Sequence, residues 1–189
     1  MSLAPLPDYL AAYLEFWPQD RPDQVERYRE FVSTNPNCCL RSHLVGHCTG
    51  SAFIVSPDYR LALLLFHPYL KRWLQPGGHA DGNPDLLEVA RREAHEETGL
   101  AFDHFFAVEL AAGRAVPLDL DIHQIPERGA EPAHFHYDLR FLLIADPTLE
   151  LFPERPEMLL QWIPLEEVRE LTDEESVLRL VRKVECGRG

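Results

Sequence analysis

The chain of 189 residues carries 18 Lys and Arg against 31 Asp and Glu, which gives a formal net charge of −13 at pH 7. Its length and its 46% hydrophobic and 26% charged residues are ordinary for a compact globular protein and exclude extended disorder. The acidic balance opposes non-specific binding to nucleic acid, which requires a basic surface.

Residues 1–44 are predicted to form an N-terminal helical arm of two helices. The first, over residues 6–17, places apolar side chains at i, i+3, i+4 and i+7: Leu10, Tyr13, Leu14 and Trp17. The second, over residues 22–33, begins with a proline in its first turn. The apolar face of the first helix either packs back on the rest of the chain or forms a homodimer interface, and the sequence does not choose between them.

Residues 45–189 are predicted to form one domain in which strands and helices mix. Apolar runs of β type predict strands at 49–55, 61–67, 105–111, 118–125, 135–145 and 161–163. A short strand within 72–79 runs into a Gly-rich loop. Helices are predicted at 84–98, 165–171 and 174–185. This order is typical of an α/β (α+β) sandwich.

The predicted helix at 84–98 has an unusual distribution of charge. Asn83 suits its N-cap and Gly99 its left-handed C-cap. At 100° per residue, the core-facing arc holds four apolar residues: Leu86, Leu87, Ala90 and Ala94. Glu93 and Glu97 overlap the edge of this arc, and Glu96 lies beside them. The solvated face should lie opposite the core, so these carboxylates are not simply surface charges.

Glu93, Glu96 and Glu97 also lie near the C-terminal end of the helix, where the dipole disfavours each negative charge by ~0.3–1 kcal/mol. Their i, i+3 and i+4 spacing adds mutual repulsion. Three carboxylates crowded there, beside a Gly-rich loop, are most simply explained by a hard divalent cation such as Mg²⁺, which oxygen ligands share with substrate phosphates. The alternative is an acidic helix end without a metal.

The segment from Gly78 to Leu100 resembles the Nudix box, in which a Gly is followed after five residues by Glu and after seven more by the pattern Arg-Glu-apolar-X-Glu-Glu-X-Gly-apolar. Gly78 fills the first position, Arg92 and Glu93 the Arg-Glu pair, and Glu96 and Glu97 the Glu pair. Pro84 replaces the first Glu of the box, which is its clear departure. The resemblance covers about residues 45–170.

The resemblance implies a Nudix fold, with a mixed β-sheet sandwiched between α-helices. It also implies hydrolysis, dependent on Mg²⁺ or Mn²⁺, of a nucleoside diphosphate linked to another moiety. By analogy, Glu93, Glu96, Glu97 and a backbone group of Gly78 hold the metal, and Arg92 orients a carboxylate. The alternative is a Nudix-fold module that binds nucleotide or regulates without catalysis, with Pro84 marking the loss of activity.

Several residues outside the box are candidate substrate contacts or ligands of a second metal. Three alternate residues precede a loop and three follow it: Asp119, Asp121 and His123, then His134, His136 and Asp138. The favoured alternative for these six is the polar face of an exposed hairpin. On the strand that enters the Gly-rich loop, Trp73 is placed to stack on a base or to pack in the core, and Gln75 is a further candidate contact.

Cysteine usage and hydropathy predict the location of the protein. The four cysteines are too few and too irregularly placed for a disulfide framework, so we expect a cytoplasmic protein. No apolar run approaches ~20 residues, so no membrane contact is expected. A mixed set also invites a zinc interpretation: Cys38, Cys39, His43, His47 and Cys48. Adjacent cysteines and the lack of a Cys-X-X-Cys pair disfavour it.

Overall fold

The computed structural model describes residues 5–111, 113–129 and 131–187. Within these ranges the helices are α1 (Leu6–Phe16), α2 (Pro22–Thr34), α3 (Leu86–Thr98), α4 (Val168–Leu171) and α5 (Glu175–Cys186). The strands are β1 (Gly46–Val55), β2 (Leu61–His67), β3 (Arg72–Leu74), β4 (Gly77–His79), β5 (Phe106–Ala107), β6 (Asp119–Ile125), β7 (His134–Ile144) and β8 (Leu159–Pro164). Short 3-10 turns occupy Phe102–His104 and Leu165–Glu167.

All eight strands join in one mixed sheet. Its main path runs β3-β2-β1-β7-β5, with β4 paired to β1, β6 to β7 and β8 to β2. Strand β1 pairs in parallel with β7 along its whole length, and the other pairs are antiparallel. Because β4 pairs with the middle of β1, the Gly-rich segment lies beside the centre of the sheet. The predicted mixed sheet is confirmed.

Helices cover both faces of this sheet, as expected for the predicted sandwich. Alternate residues of β1 point to opposite faces. Cys48, Ala52 and Ile54 belong to a core that includes α1, α2 and α3. Phe53 and Val55 belong to a second core, which α5 closes with four buried residues: Val177, Leu180, Val181 and Val184. The two cores place the sheet between two helical layers.

The two N-terminal helices pack against the sheet of their own chain. Leu10 and Tyr13 of α1 are buried in the same core as the strands. In α2, the Tyr28 hydroxyl donates to the Tyr137 carbonyl at 2.8 Å, and the ring of Phe31 stacks on that of Tyr137 with 3.7 Å between centroids. The apolar face of α1, for which the sequence allowed either packing within the chain or a homodimer interface, is therefore buried within the chain. A homodimer would use another surface.

Three local expectations differ from the structure. The strand expected at 105–111 is reduced to Phe106–Ala107 because both side chains are exposed at this edge and gain little from burial. Part of the Gly-rich loop forms β4 against β1. Helix α3 begins at Leu86, and its N-cap is Asp85, whose carboxylate accepts the Glu88 amide at 3.1 Å. Asn83 instead accepts the Asp85 amide at 2.9 Å, in the turn before the helix.

Among the described residues, every helix is too short or too polar to cross a bilayer.

Candidate active site

Helix α3 is held unusually close to strand β1. Leu86, Val89, Ala90 and Ala94 are fully buried, whereas Leu87, expected in the core, is half-buried. A Cβ at Gly50 would lie 2.5 Å from the Leu86 carbonyl oxygen, so only glycine permits this approach. The close packing brings the C-terminal half of α3, with its carboxylates, over β4.

Glu97 reaches the first glycine of β4. Its Oε2 atom accepts a hydrogen bond from the Gly77 amide at 3.0 Å. Burial raises the pKa of the Glu97 carboxyl to about 8, since the hydrogen bond from Gly77 offsets only part of the cost of removing the charged form from water. A Cβ at Gly77 would lie 2.8 Å from Cβ of Ser51 on β1. The glycine therefore lets β4 pair tightly with β1 while its amide faces Glu97.

Glu93 lies against the second glycine. A Cβ at Gly78 would lie 2.5 Å from the Glu93 carboxyl carbon, so a side chain there would displace the carboxylate. Arg92 donates to Glu93 Oε1 at 2.7 Å and to the His79 carbonyl at 2.6 Å, which ties α3 to β4. Burial raises the pKa of Glu93, although Arg92 opposes the shift. The ion pair expected for Arg92 is thus present and fixes one carboxylate of the box.

Glu96 lies further out. Its side chain is 52% exposed, and its nearest cation is the Arg92 Nε atom at 3.8 Å. Within the described ranges, the carboxylates of Glu93, Glu96 and Glu97 are not all within 4.8 Å of one another. Mutual repulsion between the charges favours this separation. The donor set still fits a hard cation, because the carboxylate of Glu93 borders Gly78, where a Cβ would intrude, and that of Glu97 reaches the adjacent Gly77 amide.

Trp73 and Gln75 lie on the chain that enters this site. Trp73 in β3 is half-buried, with its ring 5.5 Å from that of Phe66. The Oε1 atom of Gln75 is buried and has no hydrogen-bond partner among the described residues. A buried amide oxygen without a donor is costly, so this atom is available to accept a hydrogen bond from a ligand.

The polar residues of β6 and β7 share one face of the sheet, as their spacing predicts. Asp121 lies opposite Asp138, and His123 opposite His136. The exposed-hairpin interpretation is wrong, because Asp119, His134 and Asp138 are only 0%, 4% and 1% exposed. Helix α5 and the turn after α1 cover this face and supply its counter-charges.

The aspartates of this face form a buried ion-pair network. Asp119 accepts from Arg179 at 2.8 Å and from Lys183 at 2.9 Å. Arg140, itself 3% exposed, donates to Asp138 at 2.8 Å and to Asp121 at 3.2 Å. Thr49 and Ser51 also donate to Asp138. This geometry favours an internal role for Asp121 and Asp138 over contact with substrate.

The same network perturbs the acidities of its aspartates. Burial alone would raise the pKa of Asp119, but hydrogen bonds from Arg179 and the charges of Arg140 and Lys183 hold it below its usual range. Burial likewise opposes the charged form of Asp121, but the hydrogen bond from His123 and the charges of Arg140 and Arg179 hold the pKa of this carboxyl below its usual range. These cations were not among the functional residues predicted from the sequence. An arginine within the apolar run of β7 was the available signal, because a buried guanidinium requires anionic partners.

A cluster of histidines continues this face beyond Asp138. His47, His79 and His136 offer ring nitrogens that all lie within 4.8 Å of one another. Burial lowers the pKa of His47 to about 4 and that of His136 well below its ordinary value, with neighbouring imidazoles adding to both shifts. Both rings are therefore neutral at pH 7.

Strand alternation divides the mixed cysteine and histidine set. Cys38, Cys39 and Cys48 bring their sulfur atoms together in the helix-covered core, within 4.8 Å of one another. His47, next to Cys48 on β1, points to the opposite face. The five residues therefore do not form a single site.

Comparisons with known proteins agree with this architecture. The NUDIX domain family model matches residues 50–183. A probable DHNTP pyrophosphohydrolase of Lactococcus lactis subsp. cremoris is 38% identical over 113 residues, which cover 60% of this chain and 63% of that relative. The alignment therefore spans less than two thirds of the relative's length.

Two solved structures share the fold. The E. coli dihydroneopterin triphosphate pyrophosphohydrolase superposes with a TM-score of 0.56 and 16% identity, covering 72% of this chain and 92% of that one. A binary complex of the C. elegans Ap4A hydrolase gives 0.55 and 18%, covering 74% and 95%. Since the family model matches most of the chain, the chain belongs to the Nudix hydrolase superfamily.

Proposed function

We propose that the protein is a pyrophosphohydrolase, dependent on Mg²⁺ or Mn²⁺, that cleaves a nucleoside diphosphate linked to another moiety by attack of water on phosphorus. The observation that carries this proposal is the position of Glu93 and Glu97 against the backbone of Gly77 and Gly78. Carboxylates buried at the negative end of a helix are costly without a cation, and a cation bound there would stabilise the charge of a diphosphate.

Each residue of the site has a proposed role. Glu93, Glu96 and Glu97 hold the cation together with a backbone group of Gly78, and Arg92 fixes the Glu93 carboxylate through its short ion pair. The cation, when bound, neutralises charge on the diphosphate and lowers the pKa of water. Glu97, which accepts a hydrogen bond from the Gly77 amide beside the proposed cation site, is our candidate for the group that takes the proton of the attacking water.

The likenesses to a DHNTP and a dihydroneopterin triphosphate pyrophosphohydrolase extend the proposed substrate class to a pterin triphosphate. The unpartnered amide oxygen of Gln75 would accept a hydrogen bond from a ring amino group, and Trp73 would supply an aromatic face. His134 and His136 are further candidate contacts, on the face of the sheet that they share with Asp121 and Asp138. Asp121 and Asp138 position Arg140 on this face of the sheet, and Asp121 also positions Arg179.

The proposal is tested by product release from a substrate panel that contains dihydroneopterin triphosphate, ADP-ribose, Ap4A and nucleoside triphosphates. Each compound is incubated with metal-free protein and with added Mg²⁺ or Mn²⁺. Turnover of at least one compound only with metal supports the proposal. Nucleotide binding without turnover of any compound overturns it in favour of a non-catalytic Nudix-fold module.

A further inference from the structure

We propose that His47, His79 and His136 bind a transition-metal ion of the Zn²⁺ class, with His134 as a fourth donor, at a site separate from the carboxylates of α3. Three strands bring these side chains together. His47 in β1 lies opposite His136 in β7, and His79 in β4 lies opposite Thr49, two residues further along β1. All therefore project from the same face of the sheet.

The donor atoms are close enough to share one ion. One ring nitrogen from each of His47, His79 and His136 lies within 4.8 Å of the others. The ring centroid of His47 lies 5.0 Å from that of His79 and 4.9 Å from that of His136. Zn²⁺ binds imidazole nitrogen at about 2.0–2.1 Å, so small side-chain rotations bring three donors into its coordination sphere.

His47 shows that this cluster lacks a partner. The residue is only 2% exposed, yet neither ring nitrogen has a hydrogen-bond partner among the described residues. Burying an unsatisfied polar nitrogen costs about 1–3 kcal/mol. A coordinated metal would satisfy one nitrogen of this ring.

His134 supplies a nitrogen with a defined lone pair. Its Nδ1 atom lies 2.9 Å from the Pro132 carbonyl oxygen, which only accepts, so Nδ1 carries the proton. The Nε2 atom of the neutral ring is then an acceptor, and it lies 3.4 Å from Nε2 of His136. Ligand atoms around tetrahedral Zn²⁺ are separated by about 3.3–3.4 Å. The Pro132 carbonyl would orient this ligand as backbone carbonyls orient metal-bound histidines elsewhere.

The donor chemistry separates this site from the two other groups. Imidazole nitrogens suit Zn²⁺, Co²⁺, Ni²⁺ and Cu²⁺, whereas Mg²⁺ prefers the oxygen donors of Glu93 and Glu97. The three thiols of Cys38, Cys39 and Cys48 lie in the other core. An ion bound by the histidines would tie β4 to β1 and β7 next to Gly78. Binding of this ion does not depend on the proposed catalytic activity.

The test is metal binding by the full chain after removal of bound metal with a chelator. Titration with Zn²⁺ should show one tight equivalent that remains in Glu97→Gln. His47→Ala should weaken this binding at least tenfold. His79→Gln, at a half-buried position, should do the same if His47→Ala fails to fold. His95→Ala on the exposed face of α3 is the matched control and should bind as the wild type does.

Substitution with Co²⁺ identifies the donors. A histidine site gives the strong visible bands of four-coordinate Co²⁺ without thiolate charge transfer in the near ultraviolet. Loss of these bands in His136→Gln supports the proposal. Thiolate charge transfer, weak bands typical of six oxygen ligands, or Zn²⁺ binding unchanged in the histidine variants would overturn it.

Discussion

Replacing Glu97 by Gln should stabilise the metal-free protein while removing its activity. The pKa of Glu97 is about 8 in the folded state against an ordinary value of 4.5. The unfolded chain therefore loses this proton first, and the folded state loses stability as pH rises from about 4.5 to 8. At about 1.4 kcal/mol per pKa unit, ionisation costs the folded state on the order of 4 kcal/mol at pH 8, and about 1 kcal/mol or less at pH 5. Glutamine keeps the acceptor for the Gly77 amide and avoids this cost.

The assay is thermal and denaturant unfolding of metal-free wild type and Glu97→Gln at pH 5 and pH 8. For a chain of this size, 4 kcal/mol corresponds to roughly 8–16 °C in Tm, and the gain should nearly vanish at pH 5. Other titrating groups, including His47, are common to both proteins, so the difference isolates Glu97. Glu96→Gln, at a largely exposed position, should change stability by less than about 0.5 kcal/mol.

Added Mg²⁺ provides a second comparison. A cation that binds the folded state stabilises it by mass action, by about 2.7 kcal/mol at one hundred times its Kd. Mg²⁺ should therefore stabilise the wild type more than Glu97→Gln. A variant that is no more stable than the wild type at pH 8, or a gain of the same size at both pH values, would refute this reasoning.

Three further perturbations test the surroundings of the site. Gly78→Ala should lower turnover at least tenfold but cost less than about 2 kcal/mol of stability in urea unfolding, because its Cβ displaces only the movable Glu93 carboxylate. Gly77→Ala should cost more stability, because its Cβ meets the backbone of Ser51. Equal stability losses in the two variants would contradict this reasoning. Asp119→Asn should cost about 3–5 kcal/mol at pH 7, because it leaves one positive charge of the buried network uncompensated. Denaturant unfolding across pH should show this difference shrink below about pH 4, where the unfolded wild-type chain takes up the proton, and continue to shrink towards the lowered pKa of Asp119 in the folded state. A difference that persists unchanged in acid would count against the network. Gln75→Leu should raise KM for the preferred substrate with little change in kcat, and unchanged steady-state kinetics would remove Gln75 from the binding site.

Local patterns predicted the elements of the fold and the position of the box. The apolar arc of α3 placed Glu93 and Glu97 at the edge of the core, where the structure has them beside β4. The Gly99 cap was predicted because a left-handed residue is needed at that helix end, and its φ is 72°. The N-cap was wrong by two residues, since Asn83 makes its hydrogen bond in the preceding turn.

Contacts between distant segments were beyond the sequence. The period of β6 and β7 predicted a shared polar face, but only the return of α5 over that face buries Asp119 and pairs it with Arg179. Nothing local in His47 or His79 indicates that they meet His136, because pairing of three strands brings them together. The packing of α1 on its own chain depends in the same way on a surface that forms only after the sheet is assembled.

The most direct test of the central claim is turnover of the best panel substrate by wild type, Glu97→Gln and Glu88→Gln, with and without Mg²⁺. Glu88 lies on the exposed face of the same helix, and glutamine can still accept the hydrogen bond from Asn83, so it is a matched control. We predict Mg²⁺-dependent turnover that falls at least a hundredfold in Glu97→Gln and is retained in Glu88→Gln. Turnover that needs no divalent metal, or that is equal in the folded Glu97→Gln variant and the wild type, would contradict the assignment of the carboxylates of α3 as the active site.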